Sequence, residues 1–99
     1  MAQSVRLHYH AWLRAADWPR WCALCEDLSG THGEWLAGAE QAIKGGKVHP
    51  SQIRKVEFDP DEYAAWCRTK GRLCNAASRA LYATFLGLAG AAEEEPRFD

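Results

Sequence analysis

Four cysteines carry the residue spacing most suggestive of chemistry. Cys22 and Cys25 are separated by two residues, which is the spacing of a zinc-binding pair or of a redox dithiol. Zinc pairs lie on turns and need a second pair, and a thioredoxin-like dithiol needs a βαβ setting, which we do not expect in this chain. Cys22 and Cys25 fall instead on the apolar side of a predicted helix, and Cys67 and Cys74 flank the end of another. We therefore expect four free thiols that act as small apolar side chains, with no metal and no cofactor.

Two histidines, His8 and His10, are one residue apart on one side of a predicted strand. Such a pair could chelate a metal, but no third ligand is in evident reach, so we expect them to face solvent or a partner. The sequence contains no nucleophile elbow, phosphate-binding loop or zinc-protease motif. We therefore expect a binding protein and not an enzyme.

The composition is that of one small globular domain. The chain has 99 residues, of which 47% are hydrophobic, and 12 basic against 13 acidic residues give a net charge of -1. This balance excludes a histone-like basic binder and an acidic mimic of nucleic acid. Residues 1–14 lack the apolar core of a signal peptide, and 80–92 are too few and too rich in Gly and Ala to span a bilayer. Four cysteines without a signal peptide indicate a reducing cytoplasm and free thiols, so we expect a cytoplasmic protein with no membrane partner.

The elements that must position these residues follow from periodicity and capping signals. Residues 4–14 alternate polar and apolar side chains, which predicts a strand, and 53–58 predict a second strand. Helices are predicted from Asp17 to Ser29, from Thr31 to Gly45, from Asp59 to Gly71, and from Asn75 to about Leu88. The last helix is apolar on most sides, so we expect it to be the most buried.

An internal repeat organises these elements. A shift of 45 residues places Trp21-Cys22 on Trp66-Cys67, so residues 4–45 and 53–90 each form a strand and two helices, followed by an acidic tail at 91–99. We expect an α+β domain of order β-α-α-β-α-α, in which a two-stranded antiparallel ribbon packs its apolar face under four helices with a pseudo-twofold. Pairing of strands between chains would instead give a homodimer.

The segments Arg54–Tyr63 and Lys70–Leu81 contain a strand, an acidic cap, an amphipathic helix, a Gly turn and a polar cap. In this order of elements the chain resembles the ribbon-helix-helix family of DNA-binding proteins, as two fused units. The resemblance implies that ribbon side chains enter the major groove and that the start of each second helix holds a phosphate. The base-facing residues would be Arg6, His8, His10, Lys55 and Glu57, and the phosphate-facing residues Thr31, His32, Asn75 and Ala76.

The distribution of charge also allows a basic surface on a neutral chain. Residues 44–55 and 63–92 contain basic but no acidic side chains, although exposed basic residues also serve solubility alone. Trp12 lies beside basic residues, as in a binding hot spot, unless the end of the strand curls and the first helix covers it. The residues predicted to bind nucleic acid or a partner are Arg6, His8, His10, Trp12, Arg14, Lys47, Lys55, Arg72, Asn75 and Arg79.

Two functions follow from these residues. The first is a small DNA-binding protein, such as a transcriptional regulator or a plasmid or phage accessory factor, with duplex DNA as its partner. The alternative is a protein-binding inhibitor of mobile-element origin, similar in kind to anti-CRISPR proteins, that occludes a host complex.

Overall fold

The computed structural model describes residues 6–93, with side chains described up to residue 90. The strands are β1 (His8–Ala11) and β2 (Ile53–Val56). The helices are α1 (Trp18–Leu24), α2 (His32–Gly45), α3 (Pro60–Lys70) and α4 (Ala76–Glu93), and short 3-10 turns lie at Ala15–Asp17 and Pro50–Gln52. The element order along the chain is therefore the one expected from the sequence, with shorter strands than predicted.

Local capping explains where three of the helices begin. Thr31 and Glu34 form a reciprocal capping box at the start of α2. The Asp59 carboxylate accepts a hydrogen bond from the Glu62 amide at the start of α3, and the Asn75 side chain accepts one from the Ser78 amide at the start of α4. These are the caps that the sequence predicts.

The two strands run parallel, so the antiparallel ribbon expected from the sequence is wrong. His8 pairs with Ile53 and Ala11 with Val56, and the Trp12 amide donates to the Val56 carbonyl at 2.8 Å. The two helices between the strands supply the long crossover that a parallel pair requires, whereas an antiparallel pair is commonly joined by a short turn. Parallel strands that bury the same face are related by a translation, so the expected pseudo-twofold is wrong as well.

The sheet buries its predicted apolar face against α4 and the core. Leu13 and Phe58 follow the two strands and are buried together with Trp21 and Tyr63. The Tyr9 ring lies against Gly87 of α4 so closely that a methyl group at Gly87 would overlap it. The alternation that predicted this face is therefore confirmed.

The polar face of the sheet is not left wholly to solvent, because α2 covers part of it. Trp12 packs edge-on against Trp35 of α2, with ring centroids 5.4 Å apart. Lys55 places its Nζ 4.4 Å from the centroid of the Trp12 ring, a cation–π contact. The expectation of a free polar face is therefore wrong at Trp12, which is covered by the second helix.

Candidate partner-binding surface

Four of the predicted binding residues lie on one face of the sheet. His10 is paired with Lys55 across the strands, and strand alternation places His8 and Trp12 on the same side. Lys55 is exposed, whereas His8, His10 and Trp12 are half-buried. The structure therefore brings this part of the predicted site together.

Arg79, in contrast, is a buried structural residue. Its guanidinium donates two hydrogen bonds to the Asp27 carboxylate, at 3.0 and 2.7 Å, and the residue is 7% exposed. The hydrogen bond from Arg79 holds the pKa of Asp27 below its usual value, and the backbone of Ala76 lowers this pKa further. Asp27 thus places a negative charge at the start of α4. The positive N-terminal end of this helix, where a phosphate was predicted to bind, already interacts with a carboxylate of the protein.

The other predicted basic residues are dispersed. Arg14 forms an ion pair with Asp17 at 2.8 Å, and Lys47 is exposed in the loop between α2 and β2. Arg72 donates from its Nε to the Ser78 hydroxyl at 3.0 Å, beside the capping residue Asn75. Arg14 and Arg72 are therefore engaged by other side chains of the protein, and Lys47 lies in a loop outside the two strands.

The predicted phosphate site at the start of α2 is likewise occupied by the protein itself. The Thr31 amide donates to the Glu34 carboxylate at 3.0 Å, so an acidic side chain already occupies this helix start. His32 places its Nε2 2.7 Å from the Leu13 carbonyl and packs against Trp18 and Trp35. The imidazole of His32 therefore packs as part of a cluster with the rings of Trp18 and Trp35.

A feature that the sequence analysis missed is the outer face of α4. Leu81, Phe85 and Leu88 recur at helical spacing on the side of α4 that faces away from the core, and they are 44%, 53% and 58% exposed. The opposite side of the helix carries Tyr82 and Ala83 into the core. The expectation that α4 is the most buried helix is therefore wrong, because one of its sides is exposed.

One flank of this apolar ridge is a groove of about 590 Å³ between α4 and the end of α3. Leu81 and Phe85 line it together with Trp66, whose ring stacks on that of Phe85 at a centroid distance of 6.5 Å. Lys70 and Arg72 supply its polar lining. The groove thus combines aromatic surface with two basic side chains.

The other flank is a groove of about 750 Å³ between α4 and β1. Its β1 side consists of five consecutive residues, 6–10, and its α4 side consists of Ala80, Thr84 and Leu88. Arg6, His8 and His10 of the predicted site line this groove. Basic residues therefore occur on both flanks of the apolar ridge, Lys70 and Arg72 on one side and Arg6 on the other.

Two of the four cysteine thiols, those of Cys25 and Cys74, have pKa values shifted away from reactivity. Cys25 and Cys67 are buried, and burial raises the pKa of the Cys25 thiol and raises that of the Cys74 thiol to about 11. Reactive thiols have lowered pKa values, so these shifts have the opposite direction. The parallel strands and their helical crossover do form a βαβ-like unit, contrary to expectation, but Cys25 follows the end of α1 instead of starting a helix.

Two further features concern metals and membranes. Residues 6–93 contain no group of three or more side chains placed to hold a metal ion. Within the same part of the chain, no helix has the length and apolar character needed to cross a bilayer.

Comparison with known proteins returned no match: no family model, no curated protein and no solved structure is similar to this chain.

Proposed function

We propose that this chain is a small protein-binding module whose α4 outer face receives an acidic, amphipathic helix of a partner protein. The observation that carries the proposal is the exposed ridge of Leu81, Phe85 and Leu88. A helix that is apolar on all sides is normally covered on all sides, and large exposed apolar surfaces mark interaction sites. The three side chains span about 10 Å along the helix axis, which suits the spacing of anchor residues on a docked helix.

The charges around the ridge favour an acidic partner. Lys70 and Arg72 line the groove on one side, and Arg6 lies in the groove on the other. Residues 63–92 contain no acidic side chain. A partner helix with apolar anchors on one face and carboxylates beside them complements both properties of this surface.

The test uses a synthetic peptide helix with leucine at alternating three- and four-residue intervals and glutamate at most other positions. Binding is measured by isothermal titration calorimetry for the parent and for the double variant Leu81→Glu/Phe85→Glu. Full burial of two such side chains contributes about 3–6 kcal/mol, and about half of this remains available because both are half-exposed. The double variant should therefore bind roughly 10–150-fold more weakly.

The matched control is Ala37→Glu/Gln41→Glu on α2. Both positions are exposed, and they have the same spacing and receive the same new side chains. This control should keep the parent affinity within about threefold, apart from the effect of two added charges. Equal binding by the parent and the α4 double variant, with both folded by circular dichroism, would refute the proposal, as would self-association through the same face in place of peptide binding.

Duplex DNA binding, the first function expected from the sequence, stays a prediction. Of its anchors, Arg79 and Arg14 are held in ion pairs, and the strand pairing differs from the expected ribbon. A salt titration of binding to mixed-sequence duplex DNA tests it, because several phosphate contacts make affinity fall steeply with salt. Occlusion of a host complex by an inhibitor of mobile-element origin also stays a prediction, and it is one use of a protein-binding face.

A further inference from the structure

The sheet has an open edge at β1. The strand order is β1-β2, so β1 has one neighbour. In a parallel ladder the backbone groups of alternate residues face the partner strand, and the Trp12 amide faces β2. The amides and carbonyls of Tyr9 and Ala11 therefore face the open edge, where no backbone partner for them occurs among residues 6–93.

This edge lacks lysine and proline, two of the features that usually prevent strand addition, and a groove separates it from the neighbouring helix α4. Proteins protect open edges with lysine, proline or a covering element. β1 contains neither Lys nor Pro, whereas β2 carries Arg54 and Lys55. The opposite wall of the groove of about 750 Å³ beside β1 consists of Ala80, Thr84 and Leu88, of which the first two are small. The groove thus leaves room beside unpaired backbone groups.

We propose that the β1 edge binds an extended segment of a partner protein that carries acidic side chains at alternate positions. An extended backbone satisfies the donors and acceptors of Tyr9 and Ala11, as in strand addition. Arg6, His8 and His10 line the groove, which has no acidic lining residue, so alternate carboxylates complement it. A second copy of this chain would place the same basic and imidazole side chains opposite one another, which disfavours pairing of two β1 edges. The proposal does not rest on the docking of a helix at α4.

The probe is an eight-residue peptide of alternating glutamate and valine, with blocked ends, titrated against the full chain by NMR. The test variant is Ala11→Pro, which removes an amide that faces the edge and leaves the β1–β2 ladder intact. Ala11→Ser keeps this amide and is the matched control. Ala11→Pro should weaken peptide binding about tenfold or more, and Ala11→Ser should bind like the parent.

A second measurement decides the matter if Ala11→Pro fails to fold. Saturating peptide should slow hydrogen exchange of the parent's Tyr9 and Ala11 amides at least tenfold. Two further peptides carry N-methyl groups on alternate amides, one on the odd and one on the even positions. One of these two peptides should lose the protection, because its methyl groups block the amides that face β1. The proposal would be overturned by any of three results: unchanged hydrogen exchange of the Tyr9 and Ala11 amides, equal binding of the two methylated peptides, or no binding at about 1 mM peptide. Dimerisation that Ala11→Pro abolishes would also overturn it, by showing a second copy at the edge.

The two proposed surfaces share Arg6 and Leu88, but Leu81 and Phe85 belong to the α4 face alone, since they do not line the β1 groove. The variant Leu81→Glu/Phe85→Glu should therefore bind the extended peptide within about threefold of the parent, given the added charges. If this variant loses the helical peptide but still binds the extended one, the two peptides bind at different surfaces. The failure of one proposal can then be told apart from the failure of the other.

Discussion

Replacement of Asp27 by alanine should destabilise the fold strongly, because it leaves the Arg79 guanidinium without its carboxylate. The Arg79 side chain is 8% exposed and that of Asp27 is 37% exposed. Breaking a fully buried pair costs about 3–5 kcal/mol, and the partial exposure of Asp27 reduces this to about 2–3 kcal/mol. For a domain of this size, that lowers the melting temperature by about 10–20 °C, measured by circular dichroism.

The free energy of unfolding that is lost in Asp27→Ala should become smaller as the pH falls. The pKa of Asp27 is lowered from 3.8 in the folded state, chiefly by the hydrogen bond from Arg79. The unfolded chain therefore takes up the proton first as the pH falls. The stabilising contribution of Asp27 is complete well above pH 3.8 and is lost as the pH falls through its lower, folded-state pKa. The difference in unfolding free energy between the parent and Asp27→Ala should shrink below about pH 4.

The control is Arg79→Met, which removes the buried charge and leaves Asp27 hydrated and close to the start of α4. Its cost should be about 1 kcal/mol or less, and the double variant Asp27→Ala/Arg79→Met should be more stable than Asp27→Ala alone. The reasoning fails if Arg79→Met costs as much as Asp27→Ala, or if Asp27→Ala lies within about 0.5 kcal/mol of the parent.

Two further predictions concern packing and are checked by urea denaturation. Gly87→Ala should cost about 1–3 kcal/mol because its methyl group meets the Tyr9 ring, whereas Gly38→Ala, with no neighbour within 4 Å, should stabilise α2 by about 0.5–1 kcal/mol. A neutral Gly87→Ala would contradict the packing of α4 on β1. Cys67→Ser should cost about 1–3 kcal/mol because it buries a hydroxyl, and Cys22→Ser, at a half-buried position, should cost less. Equal losses at both positions would contradict the difference in burial.

Local signals in the sequence account for the order of the elements and for the starts of three helices, although the strands and α1 are shorter than predicted. The capping box at Thr31 and Glu34 and the caps at Asp59 and Asn75 involve residues within one helical turn, so short-range chemistry determines them. The alternation of the first strand likewise predicted which side chains face the core. These features can be inferred from sequence because each depends on neighbours along the chain.

The direction of strand pairing is not a local property. Both an antiparallel and a parallel pair bury the same alternate residues, so the pattern that places Leu13 and Phe58 in the core is compatible with either. What decides between them is the path of α1 and α2, which returns the chain to the start of β1. The ion pair of Arg79 could not be predicted for a similar reason, since its partner Asp27 is 52 residues away.

The exposure of α4 follows from the size of the fold. The sheet has two strands of four residues each, whereas α4 has 18 residues and is apolar on most sides. So small a sheet covers one side of such a helix, and α3 contacts one flank of it without enclosing it. The apolar residues Leu81, Phe85 and Leu88 therefore exceed what this core can bury. Because these side chains are about half-exposed, we expect their replacement to cost the monomer less than that of a fully buried side chain, and the proposed binding of a partner would bury the remainder.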